Sequence, residues 1–218
     1  MTSVLNFEAL GKATMQTEPY PFAAYEDAFH DVDRLVASFP TDGFEYHAQR
    51  RMLETLGRKG TDEWYQHNVR TRALLNLGET SPHEPDGLDE IWLQLATDLS
   101  SAEYRDRLTE VTGFDVRPFP MQAHFWSFEE GASFKPHVDK PHKMVTHLMY
   151  LTENWQPEMG GCFLVLGSDD STDARQELPP RAGDSIVLRR TDNAWHSVTP
   201  IPRGGRPRRL VQTWFWAD

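Results

Sequence analysis

The chain has 218 residues, enough for one sizeable core, and its 33 acidic and 22 basic side chains give a net charge of −11. This acidity excludes a broad nucleic-acid surface, because binding a phosphate backbone requires a basic one. No apolar run approaches the roughly 20 residues that span a bilayer, and the first residues lack a secretory pattern. We therefore expect a cytoplasmic protein with no membrane or nucleic-acid partner.

Three segments of the first half have apolar residues at helical spacing. They cover residues 25–39, 86–101 and 101–113. Asp86 is a candidate N-cap of the second helix, Ser101 caps the third, and Gly113 ends it.

The segment between the first two helices, residues 40–86, is polar and interrupted by glycine and proline. Such composition is typical of an irregular connection over the protein surface. We predict a loop or lid there.

After Gly113 the chain changes to short β-rich runs separated by proline, glycine and aspartate. Seven or eight such runs predict an antiparallel sandwich or jelly roll, with the earlier helices packed on its outside. The predicted fold class is α+β, mainly β, in a single domain over 1–218. Residues 1–113 would be mostly helical or loop support, and 114–218 the β core. The lone Cys162, in an apolar run, is interpreted as a small buried side chain, which fits a reducing compartment.

A His-x-Asp pair, His137 and Asp139, lies in the stretch FKPHVD at a predicted strand edge. Side chains two apart in a strand point to the same face, so the imidazole and the carboxylate would lie side by side. His196 opens a later strand in DNAWHSVTPI. Two imidazoles and one carboxylate can bind one face of an octahedral metal, as in the facial triad of non-haem Fe(II) oxygenases. A closed zinc site would need four ligands, usually including cysteine.

The last strand offers an anchor for an acidic cosubstrate. One of its faces carries Arg208, Leu210, Gln212 and Trp214, and the other carries Arg209, Val211, Thr213 and Phe215. An arginine at the mouth of this strand can hold a distal carboxylate through two parallel hydrogen bonds.

These pieces, in their order and spacing, resemble the 2-oxoglutarate and Fe(II)-dependent dioxygenases, in particular the prolyl 4-hydroxylase-like branch. The matching stretches run from EYRDRLTEVTGFDV through FKPHVDKP, MVTHLMYLTENWQPEMGGCFLVL, PPRAGDSIVLRR and WHSVTPI to RRLVQTWFW, roughly residues 90–216. The resemblance implies a double-stranded β-helix core. It also implies that His137, Asp139 and His196 are the iron ligands and form the catalytic centre.

The resemblance further implies two residues for binding 2-oxoglutarate. Tyr150, in MYLTENW, would hydrogen-bond the distal carboxylate, and Arg208, six residues before the tryptophan of the last strand, would anchor it. Arg208 is on the same strand face as Trp214, so it is the first candidate for this role, and Arg209 and Arg206 are the second choices.

Smaller features of the resemblance concern turns and the keto-acid end of the cosubstrate. Gly160 and Gly161 match a Gly-Gly turn that needs positive φ, and the pair Gly183 and Asp184 matches a turn that launches the next strand. The side chain near the keto-acid end would be either His124 or Trp126.

The implied cofactors are Fe(II), 2-oxoglutarate and O2. The expected reaction is hydroxylation or another oxidation of a C–H bond in a small molecule, such as an amino acid or natural-product intermediate, with release of succinate and CO2. An aspartate at position 139 argues against halogenation, and the acidic composition favours a neutral or cationic substrate. By neighbourhood, candidate substrate contacts are Lys135, Lys140, His142, Arg189 and Trp195.

Three alternatives stay open. A peptidyl or protein prolyl residue is the substrate if the resemblance to the prolyl branch extends to specificity. A cupin-like metal-binding module without oxygenase turnover would usually supply three or four histidines, which disfavours it here. A zinc hydrolase built on the same ligands would leave Tyr150 and Arg208 without a shared task.

Overall fold

Two antiparallel β-sheets and four short helices make up the part of the chain that the computed structural model describes, residues 2–47, 65–66, 69–82 and 84–217. The helices are α1 (Phe7–Lys12), α2 (Val32–Ala37), α3 (Glu90–Ser100) and α4 (Ala102–Thr112), and a 3-10 turn covers Pro157–Met159. The first six strands are β1 (Phe22–Tyr25), β2 (Glu45–His47), β3 (Tyr65–Gln66), β4 (Val69–Leu75), β5 (Met121–Phe128) and β6 (Ser133–His137). The other six are β7 (Lys143–Tyr150), β8 (Phe163–Leu166), β9 (Ala174–Leu178), β10 (Ser185–Arg189), β11 (His196–Val198) and β12 (Arg208–Trp216).

The strands form one larger and one smaller sheet. The larger sheet has the order β1-β10-β7-β12-β5-β4-β2, and the smaller has the order β3-β6-β11-β8-β9. Every strand pair in both sheets is antiparallel. The mainly β prediction is therefore confirmed at the level of secondary structure and sheet pairing.

The larger sheet is the middle layer of the molecule. Its face toward the helices joins Phe125 and Val211 to α3 and α4 through Trp92, Leu95 and Leu108 in one buried cluster. The opposite face packs against the smaller sheet in a second cluster, which includes Tyr150, Phe163 and Leu210. Leu210 and Val211 fall in different clusters, so the predicted alternation along β12 is confirmed.

Helices α3 and α4 begin and end where side chains satisfy their free backbone groups. Ser101 Oγ accepts from the Tyr104 amide at 3.1 Å, and Gly113 ends α4 at φ 61°, as predicted. The N-cap of α3 is Asp89, not Asp86, because the Asp89 carboxylate accepts from the Ile91 amide at 3.0 Å. None of the helices in the described residues is long and apolar enough to cross a membrane.

Two predictions in the first half are wrong. The helix predicted over 25–39 is present only as α2. Its first part is not helical, because β1 pairs with β10 up to Tyr25 and Asp27 adopts φ 58°, which is outside the α-helical region. The predicted loop over 40–86 contains β4, which pairs with β5 inside the larger sheet. Residues 48–64, 67–68 and 83 of that segment lie outside the described residues.

A buried polar network joins the helical layer to the larger sheet at His147. Its Nδ1 is 2.8 Å from Tyr104 Oη, and its Nε2 is 2.9 Å from Tyr25 Oη and 2.7 Å from Ser185 Oγ. The imidazole is fully buried, and burial lowers its pKa to about 3. His147 is therefore neutral in the folded protein at physiological pH.

The free energy of unfolding should fall as the pH drops from about 7.5 to about 5.5. Because the folded pKa of His147 lies below the unfolded value of 6.5, the unfolded chain takes up a proton that the folded chain does not. One such residue removes about 1.4 kcal/mol over this interval. In urea titrations, His147→Gln should lose that part of the pH dependence, whereas exposed His30→Gln should keep it. Equal pH dependence in His147→Gln and the unmodified chain would contradict this.

Candidate metal centre and cosubstrate pocket

A cavity of about 460 Å³ opens between the two sheets. Aromatic side chains form much of its wall: Trp126, Phe128, Phe134, Phe163, Trp195 and Trp214. Its charged and ionisable lining comprises His137, Asp139, Lys140, Lys143, Arg190, Asp192, His196 and Arg208. An apolar enclosure with a few converging polar groups is typical of a small-molecule site.

The three predicted metal ligands meet in this cavity. His137 ends β6 and His196 begins β11, and the two are direct partners across the strand pair, with ring centroids 4.2 Å apart. Asp139 follows two residues after His137, and one ligand atom from each of the three lies within 4.8 Å of the others. The structure therefore brings together on one side of the cavity the residues that the sequence places far apart.

Both histidines are held so that one ring nitrogen faces the site. Nδ1 of His137 lies 2.8 Å from the Lys135 carbonyl, and Nδ1 of His196 lies 2.9 Å from the Ala194 carbonyl. A carbonyl oxygen only accepts, so Nδ1 carries the proton in each ring and Nε2 keeps its lone pair. Burial lowers the pKa of His137 to about 3 and also lowers the pKa of His196. Both rings are thus neutral, as metal ligands must be.

The carboxylate of Asp139 is fixed by two neighbours on β7. Lys143 Nζ donates to Oδ1 at 3.1 Å, and Thr146 Oγ1 donates to Oδ2 at 2.9 Å. Burial opposes ionisation of this carboxyl, but the charge and the hydrogen bond of Lys143 hold the pKa of Asp139 below its usual range. Two neutral imidazoles and one ionised carboxylate fit a divalent iron with open coordination positions.

Replacing Thr146 by valine should weaken Fe(II) binding about tenfold. The hydroxyl orients the carboxylate of Asp139, and loss of such outer hydrogen bonds typically costs 10–100-fold in metal affinity. Equilibrium dialysis against Fe(II) under argon measures the effect. Thr213→Val is the matched control, since this buried threonine bonds Tyr104 on the other face of the sheet. Equal iron affinity in Thr146→Val and the unmodified protein would contradict the orienting role.

Of the two predicted cosubstrate residues, Arg208 lines the far end of the cavity, and Tyr150 lies against it without lining the cavity itself. Arg208 Nη2 donates to Tyr150 Oη at 3.1 Å, and both side chains are buried. The guanidinium lies over the Phe128 ring at 4.6 Å. Burial raises the pKa of Tyr150, with the charge of Arg208 opposing it, so the phenol keeps its proton and can donate. This end therefore presents hydrogen-bond donors to an anionic ligand.

The other two arginines considered for this role lie elsewhere. Arg209 points to the opposite face of β12, where its guanidinium lies 5.0 Å from the centre of the Phe39 ring. Arg206 is exposed and pairs with Glu153 at 3.3 Å. Neither lines the cavity.

The predicted Gly-Gly turn supports Arg208 directly. Gly160 and Gly161 have φ of 60° and 72°, confirming the predicted need for positive φ. A Cβ at Gly160 would lie 2.1 Å from the Pro200 carbonyl oxygen, and a Cβ at Gly161 would lie 3.0 Å from Cδ of Arg208. The turn thus leaves room for the arginine side chain.

Several N–H groups in the cavity wall are buried without an acceptor in the described part of the chain. They are Trp126 Nε1, Arg190 Nε, Arg208 Nε and Trp214 Nε1. Unsatisfied buried donors are costly, so a bound ligand with acceptor oxygens would complete this site. Of the two alternatives for the keto-acid end, Trp126 lines the cavity and His124 does not.

Sequence reasoning identified only part of the remaining lining. Of the candidate substrate contacts, Lys140 and Trp195 line the cavity, and Lys135, His142 and Arg189 do not. Lys143, Thr146 and Arg190 were missed. The first two share the strand of Tyr150, and the parity of Thr146 with Tyr150 was the available signal.

A family model described as the 2OG-Fe(II) oxygenase superfamily matches residues 121–216. The matched range contains the His-Asp-His cluster together with Tyr150 and Arg208. The match spans less than half of the chain but contains the whole candidate site. The protein is a non-haem iron dioxygenase that uses Fe(II), 2-oxoglutarate and O2, which confirms the enzyme class and the cofactors expected from the sequence.

Solved structures of low identity share the fold. A prolyl 4-hydroxylase from Phytophthora capsici aligns with a TM-score of 0.55 at 16% identity, covering 100% of this chain and 68% of that one. AviO1 from Streptomyces viridochromogenes Tue57 aligns with a TM-score of 0.54 at 14% identity, covering 100% and 97%. A Pseudomonas putida prolyl-4-hydroxylase aligns with a TM-score of 0.51 at 19% identity, covering 86% and 100%. No curated protein matches the chain.

Proposed function

We propose that this oxygenase hydroxylates, or otherwise oxidises, a C–H bond of a small molecule such as an amino acid or natural-product intermediate, releasing succinate and CO2. The observation that carries the proposal is one cavity that is lined both by the His137, Asp139 and His196 cluster and by Arg208, which is hydrogen-bonded to Tyr150. The proposal treats residues 1–218 as a single domain around a double-stranded β-helix.

Each residue has a defined role in this proposal. Nε2 of His137, Nε2 of His196 and the carboxylate of Asp139 hold Fe(II), which with 2-oxoglutarate supplies the oxidising chemistry. Arg208 and Tyr150 bind the distal carboxylate of the cosubstrate through charge-assisted hydrogen bonds. The aromatic walls exclude water from the reacting centre.

A second candidate is a peptidyl or protein prolyl hydroxylase. The fold likeness to two prolyl 4-hydroxylases supports it. A cavity of about 460 Å³ with aromatic walls has the size and lining typical of a small-molecule site, which is why the small-molecule function is ranked first. A cupin-like binding module or a zinc hydrolase gives Tyr150 and Arg208 no common ligand.

A substrate screen tests the proposal. Purified protein with Fe(II), 2-oxoglutarate and O2 is incubated with free amino acids, acylated amino acids and proline-containing peptides, and succinate is measured by NMR. We expect a small molecule to raise succinate formation above the rate without substrate, and no turnover in His137→Ala. Stimulation by peptides alone would favour the second candidate, and absence of succinate in every reaction would contradict the oxygenase function.

A further inference from the structure

The cavity has a second basic end, on the other side of the metal cluster from Tyr150. On the paired strands β7 and β10, Leu188 is the partner of Thr146, and the Arg190 amide bonds the Met144 carbonyl at 3.0 Å. Six residues of strand separate Tyr150 from Met144, about 20 Å at ~3.3 Å per residue. Thr146, which contacts Asp139, lies between them. Arg190 therefore lies beyond the metal cluster. We call this end the mouth of the cavity, because the lining residues Lys140 and Asp192 are exposed to solvent.

Some cationic groups at this end have weak partners, or none, among the described residues. Lys143 is paired with Asp139, but Lys140 is exposed and forms no ion pair within the described part of the chain. Arg190 pairs through Nη1 with Asp192 at 2.6 Å, and the Asp192 side chain is 91% exposed. An ion pair with so exposed a partner contributes little. Nε of Arg190 is buried and has no acceptor there.

Two tryptophans of the cavity wall add apolar surface to this site. Trp195 and Trp214 line the cavity with Lys140 and Arg190, and Trp214 Nε1 is a further buried donor without an acceptor among the described residues. The mouth thus combines flat apolar surfaces with cationic groups and spare N–H donors. Such an arrangement suits an organic anion with an aromatic or aliphatic body.

We propose that Lys140 and Arg190 bind a carboxylate of the substrate at the cavity mouth, while Trp195 and Trp214 contact its apolar body. The inference rests on the proposed function and narrows its substrate class to small organic acids. It replaces the expectation, drawn from the net charge of −11, of a neutral or cationic substrate. Local groups at a cleft determine the field that a ligand meets there, whatever the charge of the whole chain.

The test compares two probes of equal shape, phenylpropanoate and phenylpropanamide. Both are titrated by calorimetry into anaerobic protein that contains Fe(II) and saturating 2-oxoglutarate, so that Arg208 is already occupied. We expect the anion to bind at least about tenfold more tightly than the amide, as a charge-assisted hydrogen bond predicts. Lys140→Gln and Arg190→Gln should each bring the two affinities together.

Arg203→Gln is the control variant, since its side chain is 98% exposed and does not line the cavity. It should keep the preference for the anion. Lys140 is exposed, so Lys140→Gln keeps the test valid if Arg190→Gln fails to fold. The inference is overturned if the anion binds no more tightly than the amide, including when neither binds. It is also overturned if both cavity variants keep the preference.

The same samples separate this inference from the proposed function. Fe(II) and 2-oxoglutarate bound together give a visible charge-transfer band, which does not depend on the mouth residues. A band without a preference for the anion would reject the organic-acid substrate and leave the oxygenase function standing. Absence of the band would reject the oxygenase function itself.

Discussion

Replacing Arg208 by glutamine is expected to raise the dissociation constant for 2-oxoglutarate about 100-fold or more. The guanidinium is buried beside Tyr150, and removing a charged partner from a desolvated carboxylate typically costs about 2–5 kcal/mol. Calorimetric titration of 2-oxoglutarate into the anaerobic Fe(II) protein measures the change. Tyr150→Phe removes one hydrogen bond to the same carboxylate, so we expect a smaller loss, roughly tenfold.

The neighbouring arginine provides the matched control for Arg208. Arg209→Gln changes the same kind of side chain one residue along β12, but Arg209 faces Phe39 under the helices. The Arg209→Gln variant should bind 2-oxoglutarate as tightly as the unmodified protein. Equal losses in the two variants would show that the total charge, and not the position of Arg208 in the cavity, governs cosubstrate binding.

Replacing His196 by alanine is expected to lower Fe(II) affinity by more than the 10–100-fold typical of outer-sphere changes, and to abolish succinate formation. The change removes one of the three candidate ligands found among the described residues and leaves His137 and Asp139 without their partner. Equilibrium dialysis against Fe(II) under argon measures the affinity, and circular dichroism checks that the β-sheets persist.

His142→Ala is the control for this prediction. His142 is exposed, lies three residues after Asp139 and is not part of the metal cluster. It should bind iron like the unmodified protein. Iron binding retained in His196→Ala, or lost equally in His142→Ala, would contradict the assignment of His196 as a ligand.

Strand parity accounts for only part of the site. Arg208 shares its face of β12 with Trp214, as alternation predicts. His137 ends β6, so Asp139 lies two residues beyond the strand, although the spacing of the pair still pointed to a common site. The resemblance to a known family supplied Tyr150 and the pairing with His196. The structure brings the three candidate ligands and Arg208 to one cavity, and Tyr150 is hydrogen-bonded to Arg208 at its wall.

The errors concern segments where distant partners decide the local structure. Apolar spacing over 25–39 fits a helix, yet Phe22–Tyr25 pairs with β10, more than a hundred residues away in the chain. In β4, Arg72 is buried and pairs with Asp42, so its charge does not indicate a surface loop. The amino-acid composition of a segment does not show which distant residues it will contact.

Lys143, Thr146 and Arg190 show the same limit within the site. Lys143 and Thr146 lie on β7, and Arg190 directly follows β10, but the importance of each depends on what faces it across the cavity. Thr146 matters because it meets Asp139, and Arg190 because Nε is buried without an acceptor among the described residues. Only the packing of the two sheets reveals these relations.

The most direct test of the central claim is the visible spectrum of the anaerobic protein with Fe(II) and 2-oxoglutarate. If His137, Asp139 and His196 bind the iron, and Arg208 and Tyr150 bind the cosubstrate beside it, a weak charge-transfer band should appear only when both are added. The band should be absent in His137→Ala. No band in the unmodified protein, or an undiminished band in His137→Ala, would contradict the assignment.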